Sequence, residues 1–289
     1  MSIVRRGGLG LMAVALVTAG LAFAVADPHP KVAAAAGRPK IFLYGDSIAW
    51  EARDWFKDMI NISGGAAKIR TFPGADLCAW LSHIRSDVRR PLASAAVLEF
   101  GGVGLASCLD HAGEGPTENV LQEYREDTAK VTRLLARFGL RAYWVAPPGP
   151  VGAAGPSWMF PVFRKGVKDA GYDGATVVDG GKQLRKRDTK KYTLTRPCLQ
   201  FETSFHGCDA RRRIIVRNPD GGHFCPVPDF VDCPMYSSGA WRFSKNMAAN
   251  PVPDLGLTPG LFREVADAHA AEAAVNAPAG APTTPPATT

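Results

Sequence analysis

The stretch Lys40-Ile41-Phe42-Leu43-Tyr44-Gly45-Asp46-Ser47 (KIFLYGDS) decides how the rest of the chain is read. Lys40 to Tyr44 is a short apolar run that stops at Gly-Asp-Ser, and Ile48, Ala52, Trp55, Phe56 and Met59 then recur at helical spacing. A strand turning straight into a helix opens a βαβ unit, and the pattern repeats. Lys68 to Phe72 reads as a second strand, followed by a helical stripe of Leu77, Trp80, Leu81, Ile84 and Val88. Ala95 to Phe100 is a continuous apolar run, as a strand covered on both faces requires. Leu121, Tyr124, Thr128, Val131, Leu135 and Phe138 predict a long amphipathic helix stopped by Gly139. Arg141 to Ala146 is a fourth strand, Ala175 to Val178 a fifth, and Leu261 to Ala270 a C-terminal helix. This alternation predicts an α/β fold, a three-layer sandwich with a mostly parallel central sheet. In such sheets sites lie beyond the carboxyl ends of the strands.

Motifs with chemical potential fall at such ends. Gly45-Asp46-Ser47 places a serine at a strand-to-helix turn, with its backbone N–H at a helix N-terminus. Taken alone, that serine is equally a good helix N-cap. Asp220-Gly221-Gly222-His223-Phe224 places an acid three residues before a histidine, with glycines between, so that one turn presents both side chains. Serine needs a base to take its proton. Histidine has the pKa for that task, and a carboxylate fixes its tautomer. Taken alone, this second motif is equally a turn with a surface histidine.

Together, the early Gly-Asp-Ser and the late Asp-x-x-His resemble the SGNH (GDSL-like) hydrolase family over roughly residues 40 to 270. Asp220 to Pro226 (DGGHFCP) and Leu98 to Cys108 resemble exported actinobacterial members. The resemblance implies a flavodoxin-like sandwich and a serine esterase acting on an O-acyl ester of a carbohydrate or lipid. Ser47 would be the nucleophile, His223 its base and Asp220 the residue that orients His223; the N–H groups of Ser47 and Gly74 would form the oxyanion hole. No cofactor or metal is implied. The family's Gly-x-Asn motif is degenerate: after the third strand comes Phe100-Gly101-Gly102-Val103-Gly104, with Val103 at the asparagine position. Losing one oxyanion donor costs about 3 kcal/mol of transition-state stabilisation. Two alternatives therefore stand beside the esterase: an O-acyltransferase acting on an envelope glycan, and a weakened glycan-binding module of the same fold.

The termini bear on location. Arg5 and Arg6 precede an uncharged stretch from Gly7 to Ala26 that ends in Ala24-Val25-Ala26, a small-residue cleavage site. Residues 1–26 read as a secretory signal peptide, or as a membrane anchor if uncleaved. A Pro/Ala/Gly-rich linker (27–38) leads to the domain (39–273), and an Ala/Pro/Thr tail (274–289) cannot bury a core. Six cysteines in an exported chain favour disulfides, and none is spaced C-x-x-C for zinc. Six allow 15 connectivities; spacing invites Cys78–Cys108, Cys198–Cys208 and Cys225–Cys233.

Among 289 residues, 34 Lys/Arg against 27 Asp/Glu is a mild basic excess without the aromatic interleaving of a nucleic-acid binder. The basic clusters Lys182 to Lys191 and Arg211 to Arg213 read as solvated faces or as contacts for an anionic envelope polymer. His83 and His206 lack partner motifs, Trp55 and Trp80 lie on helical stripes, and Trp50 is open to a second role as a sugar platform.

Overall fold

The computed structural model describes residues 37–199, 202, 208–226 and 237–258. The N-terminal export segment, nearly all of the linker, Cys233, the helix expected over 261–270 and the C-terminal tail lie outside the described residues.

Five strands form one sheet in the order β2-β1-β3-β4-β5: β1 (Lys40–Gly45), β2 (Ala66–Thr71), β3 (Ala93–Glu99), β4 (Arg141–Ala146) and β5 (Ala175–Asp179). Every neighbouring pair is parallel. This is the doubly wound order of flavodoxin-like sheets, whose chain leaves the first strand toward opposite sides. The helices are α1 (Ser47–Ile62), α2 (Leu77–Asp87), α3 (Glu118–Arg137), α4 (Met159–Ala170), α5 (Ser238–Ala248) and the short α6 (Pro251–Asp254). A separate antiparallel pair joins β6 (Thr195–Pro197) to β7 (Arg213–Ile215).

The period-two alternation of the strands sorts the core into two layers. Ile41, Leu43, Ala95, Val97, Tyr143 and Val145 face Trp55, Phe56 and Met59 of α1 and Phe243 and Met247 of α5. The intervening Phe42, Tyr44, Ala96, Leu98, Ala142 and Trp144 face α2, α3 and α4 through Leu77, Ile84, Tyr124, Leu135 and Phe163. The three-layer α/β sandwich expected from the sequence is thus the observed fold, and the five expected strands are its sheet.

Cys78–Cys108 and Cys198–Cys208 are disulfide-bonded as spacing suggested. Cys225 is also in a disulfide. Among the described residues, no helix is long and apolar enough to cross a membrane.

Candidate active site

The strand-to-helix turn after β1 is built by Asp46, not by the serine. Asp46 caps α1, its Oδ1 accepting the Ile48 N–H at 2.9 Å. Its Oδ2 accepts the Gly101 N–H at 2.5 Å, which ties the end of β1 to the end of β3. The N-cap role open to Ser47 in the sequence is therefore taken by its neighbour, and the Ser47 hydroxyl is left for another partner. Beneath the turn lies the buried Glu99. Burial pushes its carboxyl well above the ordinary range and the adjacent Asp46 pushes the same way; burial also raises Asp46, opposed by the N–H groups of Gly101 and Ile48.

That other partner comes from the far end of the chain. His223 Nε2 lies 3.0 Å from Ser47 Oγ, and its Nδ1 lies 2.6 Å from Asp220 Oδ2. With the proton on Nδ1, the ring donates to Asp220 and offers Nε2 as acceptor to the serine hydroxyl. The 218–223 loop presents this arrangement through local bonds. Asn218 Oδ1 accepts the Asp220 N–H at 2.9 Å, and the Gly221 N–H closes onto Asn218 O at 2.8 Å with Gly221 at φ +74°. Asp220 Oδ1 accepts the N–H groups of Gly222 (2.6 Å) and His223 (3.0 Å). Partial burial works against the charge on Asp220, but these bonds and the His223 ring outweigh it and hold the carboxyl below its ordinary value. Asp220 is thus an ionised acceptor at neutral pH.

Two buried residues that sequence reading missed support this loop. Arg217 donates from Nη2 to Gly221 O (2.5 Å) and Gly222 O (2.7 Å); burial lowers its pKa to about 10. Glu51, one helical turn beyond Ser47, accepts the Phe224 N–H on Oε2 at 2.6 Å. The signal for Glu51 was in the sequence: an acid adjoining Ala52 in the apolar stripe of α1. Arg217 gave none.

Gly74 sits where expected, on the loop after β2. Phe72 O accepts the Ala75 N–H at 3.1 Å and Gly74 has φ +76°, so Phe72-Pro73-Gly74-Ala75 forms a turn whose third residue favours glycine. The Phe72 N–H donates to Gly45 O at 3.1 Å, placing this turn beside the β1–α1 corner. Val103 is half-buried between Gly102 and Gly104, each at φ +68°. Its loop is fastened at several points. Trp158 Nε1 donates to Gly101 O at 3.0 Å, the Gly113 N–H donates to Gly104 O at 2.7 Å, and Asp76 accepts the Ala106 N–H at 2.5 Å. The Cys78–Cys108 bond ties the same loop to the start of α2.

Apolar side chains stand exposed around this edge of the sheet. Phe72 is 65% and Leu105 64% exposed, with Val151 and Trp158 less so. A Cβ built on Gly74 would lie 4.0 Å from Leu105 Cδ1, and one built on Gly221 would lie 3.7 Å from Val151.

His83 packs its ring against Trp80 at 5.5 Å. His206 lies outside the described residues. Trp55 is core, and the Trp50 ring is covered by the Arg53 guanidinium at 4.0 Å. In the basic clusters, Arg185 pairs with Asp179, Arg213 donates to Thr195, and Arg211 and Arg212 are exposed.

No protein-family model matches the chain, and no curated protein matches its sequence. Solved structures do align with it. A GDSL-like lipase from Bacteroides thetaiotaomicron is 12% identical, with 74% of this chain and 88% of that chain covered at a TM-score of 0.45. A catalytic mutant of an acetylxylan esterase from Geobacillus stearothermophilus is 10% identical, with 77% and 97% covered at a TM-score of 0.43. The lipase/acylhydrolase from Enterococcus faecalis is 18% identical, with 54% and 87% covered at a TM-score of 0.34.

Proposed function

We propose that this chain is an exported serine hydrolase of the SGNH type that cleaves O-acyl esters. The observation that carries the reading is the hydrogen-bonded series Asp220–His223–Ser47, drawn from opposite ends of the sequence to one edge of the sheet. Ser47 Oγ attacks the acyl carbonyl while His223 Nε2 takes its proton. Asp220 holds the ring and stabilises the imidazolium. The N–H groups of Ser47 and Gly74 receive the developing oxyanion. His223 then gives its proton to the departing alcohol, and a water molecule deprotonated by His223 releases the acid.

The exposed apolar side chains beside the proposed oxyanion position favour an acyl group longer than acetyl. Phe72 and Leu105 flank Gly74, where the carbons next to the ester carbonyl would lie, so a lipid-like acyl ester is the preferred substrate class. Transfer to a glycan hydroxyl is the second reading, and rests on Val103 at the usual asparagine position. Export rests on the features of residues 1–26 and fits the disulfides.

The test is labelling with a fluorophosphonate probe, read by intact mass, together with hydrolysis of p-nitrophenyl esters. Wild type gains one adduct, Ser47→Ala gains none, and Ser47→Ala and His223→Ala lose at least ~10³-fold in kcat. Wild-type hydrolysis by Ser47→Ala would refute the mechanism. Partitioning of the acyl-enzyme between water and an added glycan separates hydrolase from transferase.

A further inference from the structure

We infer that Glu51 is a positioning residue that sets the distance between nucleophile and base, by fastening the loop that carries His223 to the helix that carries Ser47. The inference rests on the esterase reading above.

Glu51 follows Ser47 by four residues in α1, so both side chains project from one face of that helix. Its Oε2 accepts the N–H of Phe224, the residue directly after His223, at 2.6 Å. Glu51 is 6% exposed, and both Phe224 and Cys225 are fully buried. A buried backbone N–H needs an acceptor, and a peptide carbonyl would serve at no electrostatic cost. An ionisable carboxyl in that position is expensive: burial is the main cause that raises the Glu51 pKa, opposed by the N–H groups of Phe224 and Cys225 and by His223. What the carboxyl supplies is reach and direction. It joins two segments 173 residues apart without passing through the sheet.

The rest of the loop is fixed from other directions. Arg217 holds the Gly221 and Gly222 carbonyls, and the Asn218 N–H donates to His223 O at 2.7 Å. These bonds shape the loop internally but do not reach α1. Glu51 receives the N–H groups of both Phe224 and Cys225, and so ties α1 to the loop beside the Ser47–His223 contact itself. Loss of the Glu51 anchor therefore loosens the distance on which proton transfer depends. An offset of about 1 Å in a reacting pair costs about 10²-fold in rate.

The experiment compares Glu51→Ala, Glu51→Gln and, as a packing control in the same helix, Met59→Ala. Each is measured for kcat and KM on a short-chain ester, for fluorophosphonate labelling rate and for melting temperature. Glutamine keeps a carbonyl oxygen that can accept the Phe224 N–H, whereas alanine keeps nothing. Glu51→Ala is expected to lose about 10²-fold in kcat and in labelling rate with KM within about threefold of wild type. Glu51→Gln should recover to within about tenfold of wild type. Met59→Ala should melt earlier yet retain kcat. If both Glu51 variants keep wild-type kcat, or if Glu51→Gln is no better than Glu51→Ala at equal melting temperature, the inference is overturned. Should Glu51→Ala fail to fold, Glu51→Met, which fills the same space without an acceptor for the Phe224 N–H, takes its place: it should lose kcat where Glu51→Gln does not, and equal kcat in the two would overturn the inference. Failure of the esterase reading would look different: wild type itself would show no Ser47-dependent labelling.

Discussion

Replacing Cys78 and Cys108 together by serine should cost both stability and turnover, by amounts that differ for physical reasons. The bond closes a loop of sequence separation 30. Opening such a loop in the unfolded state returns chain entropy worth about 3.6 kcal/mol, which is the stability lost. For a domain of this size each kcal/mol moves the melting temperature by about 2–4 °C, so a fall of roughly 7–14 °C is expected. Turnover should suffer less. Cys78 lies just beyond the turn bearing Gly74, and Cys108 lies in the loop bearing Val103, so the bond joins the two loops that border the proposed oxyanion position. Asp76 repeats that link independently, accepting the Ala106 N–H from one loop and the Tyr124 hydroxyl from α3. With Asp76 intact, kcat should fall less than about tenfold; adding Asp76→Asn should lower it by more than the product of the separate effects, because two struts on one joint are not independent. The assays are differential scanning calorimetry and steady-state hydrolysis with and without dithiothreitol. A melting temperature within 2 °C of wild type, or strictly multiplicative effects on kcat, would refute this account of the joint.

Val103→Asn should raise kcat rather than lower KM, by up to ~10²-fold, if the side chain reaches the oxyanion; the loop is fastened at Gly101, Gly104 and Ala106, so the substitution should not disorder it, and circular dichroism with kcat on a short-chain ester tests both points. Asp220→Asn should lower kcat by about 10⁴-fold while leaving folding intact, since it favours the wrong tautomer of His223. Asp87 is buried with Arg70, Arg90 and the Tyr44 hydroxyl, whose attraction outweighs burial and lowers its pKa. Its contribution to stability should be complete above the unfolded carboxylate value of about 3.9 and lost as pH falls through the lower folded value; in acid urea titrations Asp87→Asn should flatten that limb. p-Nitrophenyl hexanoate should be preferred over acetate in kcat/KM, and Phe72→Ala and Leu105→Ala should erase the preference without touching acetate; equal rates on both esters in wild type would remove the argument for a lipid-like acyl group.

The sheet was legible because a parallel strand covered on both faces must be apolar throughout, as Ala95 to Phe100 and Arg141 to Ala146 nearly are. The Gly-Asp-Ser and Asp-x-x-His turns were legible because both follow from the residue types that serine activation needs. Elements fixed by distant contacts were not. Helix α5 was missed since Ser238-Gly239-Ala240 has weak helical preference; Gly239 is required there by the backbone of Val216, which a Cβ would meet at 2.1 Å. Helix α4 was missed for its Pro161, which the first turn of a helix tolerates. Strands β6 and β7 are three residues each, too short for alternation to register. Arg217 was invisible for another reason. It follows Val216 in an unremarkable sequence, and only the folded loop above it supplies the two carbonyls it holds.

The sequence separation of 176 between Ser47 and His223 also imposes a timetable. A growing chain carries its serine from the first strand onward, but on the proposed mechanism that serine has no base until the 218–224 turn is made and docks on α1. Through about three-quarters of its synthesis the polypeptide would then be chemically inert toward acyl groups. On that mechanism, a chain cut short between residues 180 and 217 would hold the sequence of all five sheet strands and would attack nothing.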